Sequence, residues 1–329
     1  MYEEYYGFTE KPFSLTPDPK YLFKSASHAS AFDLLQYAVR RREGFVVITG
    51  DIGTGKTTLC RALLEQLDKK TFTALVLNPF LSEEDLLRLV LQEFGVVSRA
   101  EIKRGRLNGI SKSELIETLN EFLLSLQRLG AQALLIIDEA QNLPLQVLEQ
   151  IRILSNLETD KEKLLQIVLV GQSNLKGVLR RAELRQLDQR VSIRYDLKPL
   201  SKEETSAYVQ HRLSVAGGGA AVTFEPKALA RVHRYTQGIP RLINLLCDRA
   251  LLSGYSAHTN RIVPAFVDGA AVSLELEAPK HTVRGWLRQR FAGFAAGATT
   301  AGLVAIAAAT VWHYREYAVL LLQLVSQRQ

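Results

Sequence analysis

Residues 44–59 read Gly-Phe-Val-Val-Ile-Thr-Gly-Asp-Ile-Gly-Thr-Gly-Lys-Thr-Thr-Leu, and this stretch indicates the fold of the 329-residue chain. A short apolar run is followed by a glycine-rich loop and then by a helix-like segment. Glycines at positions 50, 53 and 55 let the backbone turn tightly enough for several N–H groups to point at one place at the start of a helix. Such a loop between a strand and a helix is typical of phosphate binding, so we predict a nucleotide site here.

The phosphate loop, residues 50–57, and the residue after it are expected to contact the nucleotide. These residues are Gly50, Asp51, Ile52, Gly53, Thr54, Gly55, Lys56, Thr57 and Thr58. We expect Lys56 to neutralise the β- and γ-phosphates of ATP, and the hydroxyl of Thr57 to ligate Mg²⁺. The loop alone predicts that phosphates are bound, and it does not by itself predict hydrolysis.

An acidic pair, Asp138 and Glu139, ends the apolar run Ala-Leu-Leu-Ile-Ile at positions 133–137. At the end of a buried strand, Asp138 is expected to hold the Mg²⁺ shell, and Glu139 to polarise the water that attacks the γ-phosphate. The alternative is that the acidic residues simply cap a strand. Because the pair lies downstream of a phosphate loop, catalysis is favoured, and we predict hydrolysis of ATP with Mg²⁺.

Residues 44–199 alternate short apolar runs with amphipathic segments, a pattern typical of an α/β fold with a parallel sheet. The predicted strands are residues 45–49, 73–77, 133–137, 166–170 and, with a weaker pattern, 192–197. Each run is short and apolar, as expected of strands that are buried on both faces. We therefore predict a P-loop NTPase core in which helices flank a parallel sheet.

Changes in composition divide the rest of the chain into further segments. In chain order, the predicted parts are an N-terminal extension (1–43), the nucleotide-binding core (44–199), a small all-helical lid (200–278), a basic juxtamembrane linker (279–290), a transmembrane helix (291–314) and a short tail (315–329). The extension is rich in aromatic residues and proline, and the lid has a helical pattern throughout.

The basic charge is concentrated near the C-terminus. Residues 279–329 hold six Lys or Arg residues and one Glu, which gives them +5 of the net charge of +7. Residues 291–314 contain no charged side chain except that of histidine and, at about 1.5 Å per residue, would cross a bilayer as a helix. Three arginines precede this run, so we predict a single span of the inner membrane with the ATPase body in the cytoplasm. A buried, alanine-rich core helix is the alternative.

Three more stretches, together with residues 44–59, resemble the AAA+ ATPases of the ExeA/GspA family of bacterial secretion-pathway proteins. They are Phe-Thr-Glu-Lys-Pro-Phe-Ser-Leu-Thr-Pro-Asp-Pro at 8–19, Asp-Glu-Ala-Gln-Asn-Leu at 138–143 and Gly-Ile-Pro-Arg-Leu-Ile-Asn-Leu-Leu-Cys-Asp-Arg-Ala at 238–250. The resemblance covers about residues 5–275. It implies an AAA+ core with a helical lid, and ATP hydrolysis in type II secretion or a related envelope system.

The resemblance also implies roles for residues outside the phosphate loop. Gln172 matches sensor 1, a polar residue that orients water near the γ-phosphate. Arg190 matches the arginine finger that a neighbouring subunit inserts into the site, with Arg185 as the second candidate. Arg241 matches sensor 2, a lid residue that touches the nucleotide of its own chain. An ordinary loop residue is the alternative for Gln172, and a surface salt bridge is the alternative for Arg185 and Arg190.

The partners that the resemblance implies are further copies of this chain in a homo-oligomer, a component of the bacterial envelope or secretion system, and the inner membrane. Relatives that act in secretin assembly continue into a periplasmic peptidoglycan-binding domain, whereas about fifteen residues follow Tyr314, so direct binding of peptidoglycan is not expected. Pilus-biogenesis and exopolysaccharide systems use similar ATPases, and the pathway stays open.

Two other functions compete with this interpretation. A DNA-associated AAA+ ATPase is the first, because transposition and replication-initiator ATPases resemble the same core, and residues 99–106 form a basic stretch. The chain upstream of residue 279 is close to neutral, so a large phosphate footprint, and with it a nucleic-acid partner, is not expected. A nucleotide-binding scaffold without turnover is the second, and the intact Lys56, Asp138 and Glu139 argue against it.

Overall fold

The computed structural model describes residues 2–77, 81–98, 100–101, 104–105, 107, 109–160, 162–217 and 222–277. The predicted linker, transmembrane helix and tail, residues 279–329, lie outside these ranges. Among the helices within the ranges, none has both the length and the apolar composition needed to cross a membrane.

A five-stranded parallel sheet forms the centre of the fold, and its strands match the five predicted strands, including the weaker fifth. The strands are β1, Phe45–Gly50; β2, Thr71–Val76; β3, Gln132–Ile137; β4, Leu165–Gly171; and β5, Ile193–Leu197. Their order across the sheet is β2-β3-β4-β1-β5. β1 and β4 are buried along their whole length, which explains their continuous apolar sequences. The predicted α/β fold with a parallel sheet is confirmed.

Helices cover both faces of this sheet. They are α2, Ala26–Arg41; α3, Lys56–Glu65; α4, Glu83–Glu93; α5, Lys112–Arg128; α6, Leu145–Leu154; α7, Leu175–Leu179; and α8, Arg185–Arg190, after a first short helix α1, Tyr2–Tyr6. Val46 and Ile48 of β1 pack with α2 and α3, whereas Phe45 and Val47 point to the other face, where α4 to α8 form the larger core. Successive residues of a strand face opposite ways, so one strand contributes to both cores.

Helix α5 illustrates how local sequence specifies one of these elements. Ser111 and Glu114 form a capping box that satisfies free N–H groups of the first turn. Leu115, Leu119 and Leu123 recur at every fourth position and are fully buried, since this spacing places them on one side of the helix. The cap sets the start of the helix and the leucines set the face that packs on the sheet.

The lid follows β5 and is mainly helical. Its helices are α9, Lys202–Val215; α10, Pro226–Thr236; α11, Pro240–Ser256; and α12, Pro264–Ser273. The lid also contains a parallel pair of two-residue strands, β6, Thr223–Phe224, and β7, Arg261–Ile262, so the prediction of an all-helical lid is wrong. Two residues per strand leave no alternating pattern in the sequence. The pairing arises because the segments before α10 and α12 run side by side.

The N-terminal extension is divided between the lid and the core. Four of its aromatic side chains are buried in the hydrophobic core of the lid: Tyr2, Tyr6, Phe8 and Phe13. The hydroxyl of Tyr6 donates to the carbonyl O of Thr259 at 3.0 Å. Helix α2, at the other end of the extension, packs on the sheet. The residues between these two anchors therefore pass between the lid and the core.

Candidate functional site

The phosphate loop lies at the carboxyl end of β1 and joins it to α3. Gly53 and Gly55 have positive φ angles of 79° and 98°, a conformation that is unfavourable for residues with a Cβ. At Gly50 the limit is space, because a Cβ would lie 2.8 Å from the carbonyl O of Leu197 on β5. All three glycines are required by the path of the loop, which leads directly into the N-terminus of α3, where the first N–H groups of a helix favour phosphate.

Lys56, the first residue of α3, is only 6% exposed. Its Nζ donates to the carbonyl O of Gly50 and to that of Asp51, both at 2.9 Å, so the ammonium group lies against the loop. Burial lowers the pKa of Lys56 because it penalises the charged form, and the carboxylates of Glu139 and Asp138 oppose this shift. A partly desolvated cation at a helix N-terminus favours the binding of phosphate.

The structure brings Thr57 and Asp138 together at the end of β3. The hydroxyl of Thr57 donates to Oδ2 of Asp138. The second oxygen of Asp138, Oδ1, accepts from the N–H of Glu139 at 2.8 Å, and the carboxylate is almost fully buried. These two oxygen donors fit Mg²⁺, which binds few protein oxygens and completes its shell with phosphate and water. Clusters of three or more His, Cys, Asp or Glu side chains that could hold a metal do not occur in the described ranges.

Glu139 lines the same cleft, and two glutamine side chains approach its carboxylate. Nε2 of Gln141 donates to Oε2 of Glu139 at 2.6 Å, and Nε2 of Gln172 donates to the same oxygen at 3.4 Å. Gln172 directly follows β4, which lies next to β3 in the sheet. The carboxyl ends of these two strands thus place the sensor 1 candidate beside Glu139.

The lid contributes Arg241, the second residue of α11. Its N–H donates to the carbonyl O of Gly53 at 3.1 Å, and its side chain lines the cleft. The turn before α11 depends on Gly238, whose φ is 74°, because a Cβ there would lie 1.9 Å from the carbonyl O of Leu200. Glycine at position 238 therefore lets the turn pack against Leu200 at the start of the lid. The turn leads directly into α11, so this packing helps to position Arg241 against the phosphate loop.

Arg185 and Arg190 lie away from the cleft of their own chain. They are the first and last residues of α8, and the described residues that line the cleft do not include them. Nη1 of Arg190 donates to Oγ of Ser155 at 2.8 Å, while Arg185 is exposed. Within one chain, then, the structure brings together the phosphate loop, Asp138, Glu139, Gln172 and Arg241, and does not bring these two arginines to them.

The N-terminal extension and the lid form a wall of the cleft that the sequence analysis did not assign. Its residues include Leu15, Pro17, Leu22, Tyr208, Arg212 and Asn244. The buried guanidinium of Arg212 lies 4.1 Å from the ring centroid of Tyr21, and its Nη2 donates to the carbonyl O of Ser14 at 3.0 Å. Apolar side chains with a few fixed polar groups are typical of small-molecule sites. The proline-rich composition of the extension was the one signal for it.

His28, on α2, packs against the phosphate loop, and the sequence analysis did not assign it a role. Its Nε2 donates to the carbonyl O of Thr54 at 2.9 Å, and its Nδ1 accepts from the hydroxyl of Ser25 at 2.7 Å, because a carbonyl can only accept. Burial lowers the pKa of His28, which favours the neutral ring that these bonds require. A Cβ on Gly55 would lie 3.2 Å from Nε2, so the ring is packed directly against the loop.

Comparisons with solved structures agree with the fold. The ORC2 protein of Aeropyrum pernix, in ADPNP–ADP complexes, is similar with a TM-score of 0.62 at 16% identity, over 81% of this chain and 72% of that one. The RuvB Holliday junction branch migration motor of Thermotoga maritima has a TM-score of 0.51 at 20% identity, over 77% and 70% of the two chains. At these identities the similarity shows the fold alone.

Sequence comparisons are more specific. Residues 39–179, which contain the phosphate loop and the acidic pair, match the AAA domain family. General secretion pathway protein A of Aeromonas hydrophila is 45% identical over 271 residues, which are 82% of this chain and 48% of that protein. The chain thus spans about half of the length of this curated relative. From the shared domain and this identity, the chain belongs to the AAA+ ATPases of the general secretion pathway protein A type.

Proposed function

We propose that the chain binds ATP with Mg²⁺ in this cleft and hydrolyses it to ADP and phosphate. One observation carries the proposal: Asp138, which lies 81 positions beyond Thr57 in the sequence, bonds to it beside the buried Lys56, and Glu139 lines the same cleft. The ORC2 protein of Aeropyrum pernix, which shares the fold, forms complexes with ADPNP and ADP, and this supports the choice of ligand.

Each side chain of the cleft has a role in this proposal. Lys56 and the N–H groups of the loop neutralise the terminal phosphates, while Thr57 and Asp138 hold Mg²⁺, which supplies further positive charge. Glu139 accepts a proton from the attacking water, whose oxygen forms a bond to the γ-phosphorus as the bond to the bridging oxygen breaks. Gln172 orients that water beside Glu139, and Arg241 contacts the phosphates from the lid.

We further propose that the site is completed by Arg190 of a neighbouring subunit in a homo-oligomer. Arg190→Ala is expected to lower kcat by about 100-fold, a loss typical of removing one donor to the transition state, and to leave the Kd of ATP unchanged. Steady-state hydrolysis assays and equilibrium binding measure the two effects. Arg185→Ala, made in parallel, tests the second candidate, and the exposed Arg180→Ala is the matched control.

Two controls separate a role in trans from a structural one. Ser155→Ala removes the hydrogen bond of Arg190 within its own chain but leaves the guanidinium, so this variant should retain activity. A mixture of Arg190→Ala and Glu139→Gln subunits should be more active than either variant alone, because some interfaces then combine an intact finger with an intact carboxylate. Wild-type turnover by Arg190→Ala, or no gain on mixing, would exclude the finger.

The larger role that we propose is a motor or switch on the inner membrane that acts on a secretion-system or other envelope assembly. The charge-free run at 291–314 and the arginines before it support a single-pass anchor with the ATPase in the cytoplasm. The 45% identity to a general secretion pathway protein supports the type of client. The similar solved structures do not support the DNA-associated alternative, because sequence identities of 16% and 20% to them show a shared fold only.

Deletion of residues 291–329 is expected to move the protein from the membrane fraction to the soluble fraction, because the predicted anchor is removed. Fractionation of cells that express either the full chain or the deleted chain measures this, with immunodetection of both fractions. ATP hydrolysis by the soluble product serves as the control for folding. Persistent association of an active, truncated protein with membranes would contradict the anchor.

A further inference from the structure

The turn after β3 contains a glutamine, Gln141, that none of the roles above uses. Glu139 begins this turn with a φ of 52°, a left-handed conformation that is uncommon for a residue other than glycine and that concentrates at functional sites. Residues Ala140–Asn142 then form one turn of 3-10 helix. This sharp path folds Gln141 back, so that its side chain reaches the carboxylate of Glu139, two positions earlier.

The side-chain amide of Gln141 bridges two elements. Its Oε1 accepts from the backbone N–H of Gln172 at 2.9 Å, and its Nε2 donates to Oε2 of Glu139 at 2.6 Å. A backbone N–H can only donate, so the oxygen of the amide must face Gln172 and the NH₂ group must face the carboxylate. The orientation of Gln141 is therefore determined by its partners, and one bond helps to set the other.

The end of β4 provides the space for this bridge. A Cβ on Gly171, the last residue of β4, would lie 2.8 Å from Oε1 of Gln141 and 2.8 Å from Cδ2 of Leu175. Only glycine lets the amide sit this close to the strand. The bridge thus rests on two independent features, the turn after β3 and the glycine that ends β4.

The charges near Glu139 make this bond consequential. The carboxylates of Glu139 and Asp138 both lie close enough to Lys56 in the phosphate loop to oppose the lowering of its pKa by burial. Lys176 on α7, which packs near the same turn, is paired with Asp196 at 2.7 Å, and Arg241 faces the cleft from the lid. The hydrogen bonds from Gln141 and Gln172 both end on Oε2 of Glu139, and within the described part of the chain Oε1 of Glu139 accepts no hydrogen bond. The bridge holds one oxygen and leaves the other for a water.

We propose that Gln141 is a positioning residue for ATP hydrolysis, which fixes the carboxylate of Glu139 by bridging it to the backbone at the end of β4. The inference rests on the proposed function, because it assigns to Gln141 the placement of the proposed base. It also links the sensor 1 candidate to Glu139, because the backbone N–H of Gln172 orients the amide that holds Glu139.

Two substitutions of Gln141 in the full chain test this. Gln141→Ala removes both bonds and is expected to lower kcat about tenfold or more, as displacement of a reacting group does, with an unchanged Kd for ATP. Gln141→Glu keeps an acceptor for the N–H of Gln172 but sets a second carboxylate against Glu139. Because like charges repel each other, this variant is expected to lower kcat at least as far as Gln141→Ala does, again with an unchanged Kd for ATP.

The exposed Gln146→Ala, on α6, is the matched control and should retain the wild-type kcat and Kd for ATP. If the wild-type protein does not hydrolyse ATP, the proposed function fails, and the inference fails with it. If the wild type is active and Gln141→Ala retains its kcat, only the inference is overturned. A Gln141→Glu protein that retains the wild-type kcat, or one that loses ATP binding together with kcat, would also overturn it, and this variant decides the question if Gln141→Ala does not fold.

Discussion

Lys56→Ala is expected to abolish measurable ATP binding. The side chain is nearly buried, and its ammonium group is held by two carbonyl oxygens of the phosphate loop, at the N-terminus of α3. Hydrogen bonds from charged groups contribute about 1.5–3 kcal/mol each, so losing the contacts to two phosphates should weaken binding by about 100-fold or more. Isothermal calorimetry, or the displacement of a fluorescent ATP analogue, measures the change in Kd.

The control for this experiment is Lys69→Ala, which removes an exposed lysine just beyond α3 and should leave the Kd of ATP unchanged. Thermal unfolding without nucleotide should be similar for both variants and the wild type. A Lys56→Ala protein that folds and binds ATP with the wild-type affinity would disprove the nucleotide site itself, and with it every role assigned to the cleft.

Glu139→Gln is expected to keep ATP binding and to lose hydrolysis. The amide has the size of the carboxylate and still offers an oxygen to Nε2 of Gln141, so the turn after β3 should be retained. It cannot accept the proton of the attacking water, and removal of a general base typically lowers kcat by about 10²- to 10⁴-fold. Release of phosphate in a single turnover, measured beside equilibrium binding, separates the chemical step from affinity.

Glu121→Gln, on the exposed side of α5, is the matched control for the loss of a carboxylate and should hydrolyse ATP at the wild-type rate. A Glu139→Gln protein that turns over ATP as fast as the wild type would exclude Glu139 as the base. Loss of both binding and hydrolysis would mean that the carboxylate supports the loop instead of the reaction. The same variant also serves in the mixing experiment with Arg190→Ala.

Much of the phosphate site could be predicted because its determinants are neighbours along the chain. Gly50, Gly53 and Gly55 are separated by the spacing that the loop needs, and the apolar run before them and the helix after them supply its context. The strands were recognisable for a similar reason. A strand that is buried on both faces is a short apolar run whatever its partners are, so β1, β3 and β4 could be identified before their order in the sheet was known.

The surroundings of Glu139 could not be predicted in the same way. Gln141 and Gln172 meet there because β3 and β4 are adjacent in the sheet, and that order follows from packing and not from any local pattern. The short strands β6 and β7 are a comparable case, since two residues carry no periodic signal. The burial of Tyr6 against Leu251 joins residues that are 245 positions apart, which no window of sequence can relate.

The sequence by itself determined the parallel α/β fold, the phosphate loop at residues 50–57 and the acidic pair Asp138–Glu139. Each of these depends on glycines, apolar runs and charges within a few positions of one another, so local geometry specifies it. Only the tertiary structure decided what surrounds them: Gln141 bridges Glu139 to the residue after β4, and Arg212 lines the cleft with the N-terminal extension. Their placement follows from how distant elements pack together, and that packing depends on the whole core instead of any single segment.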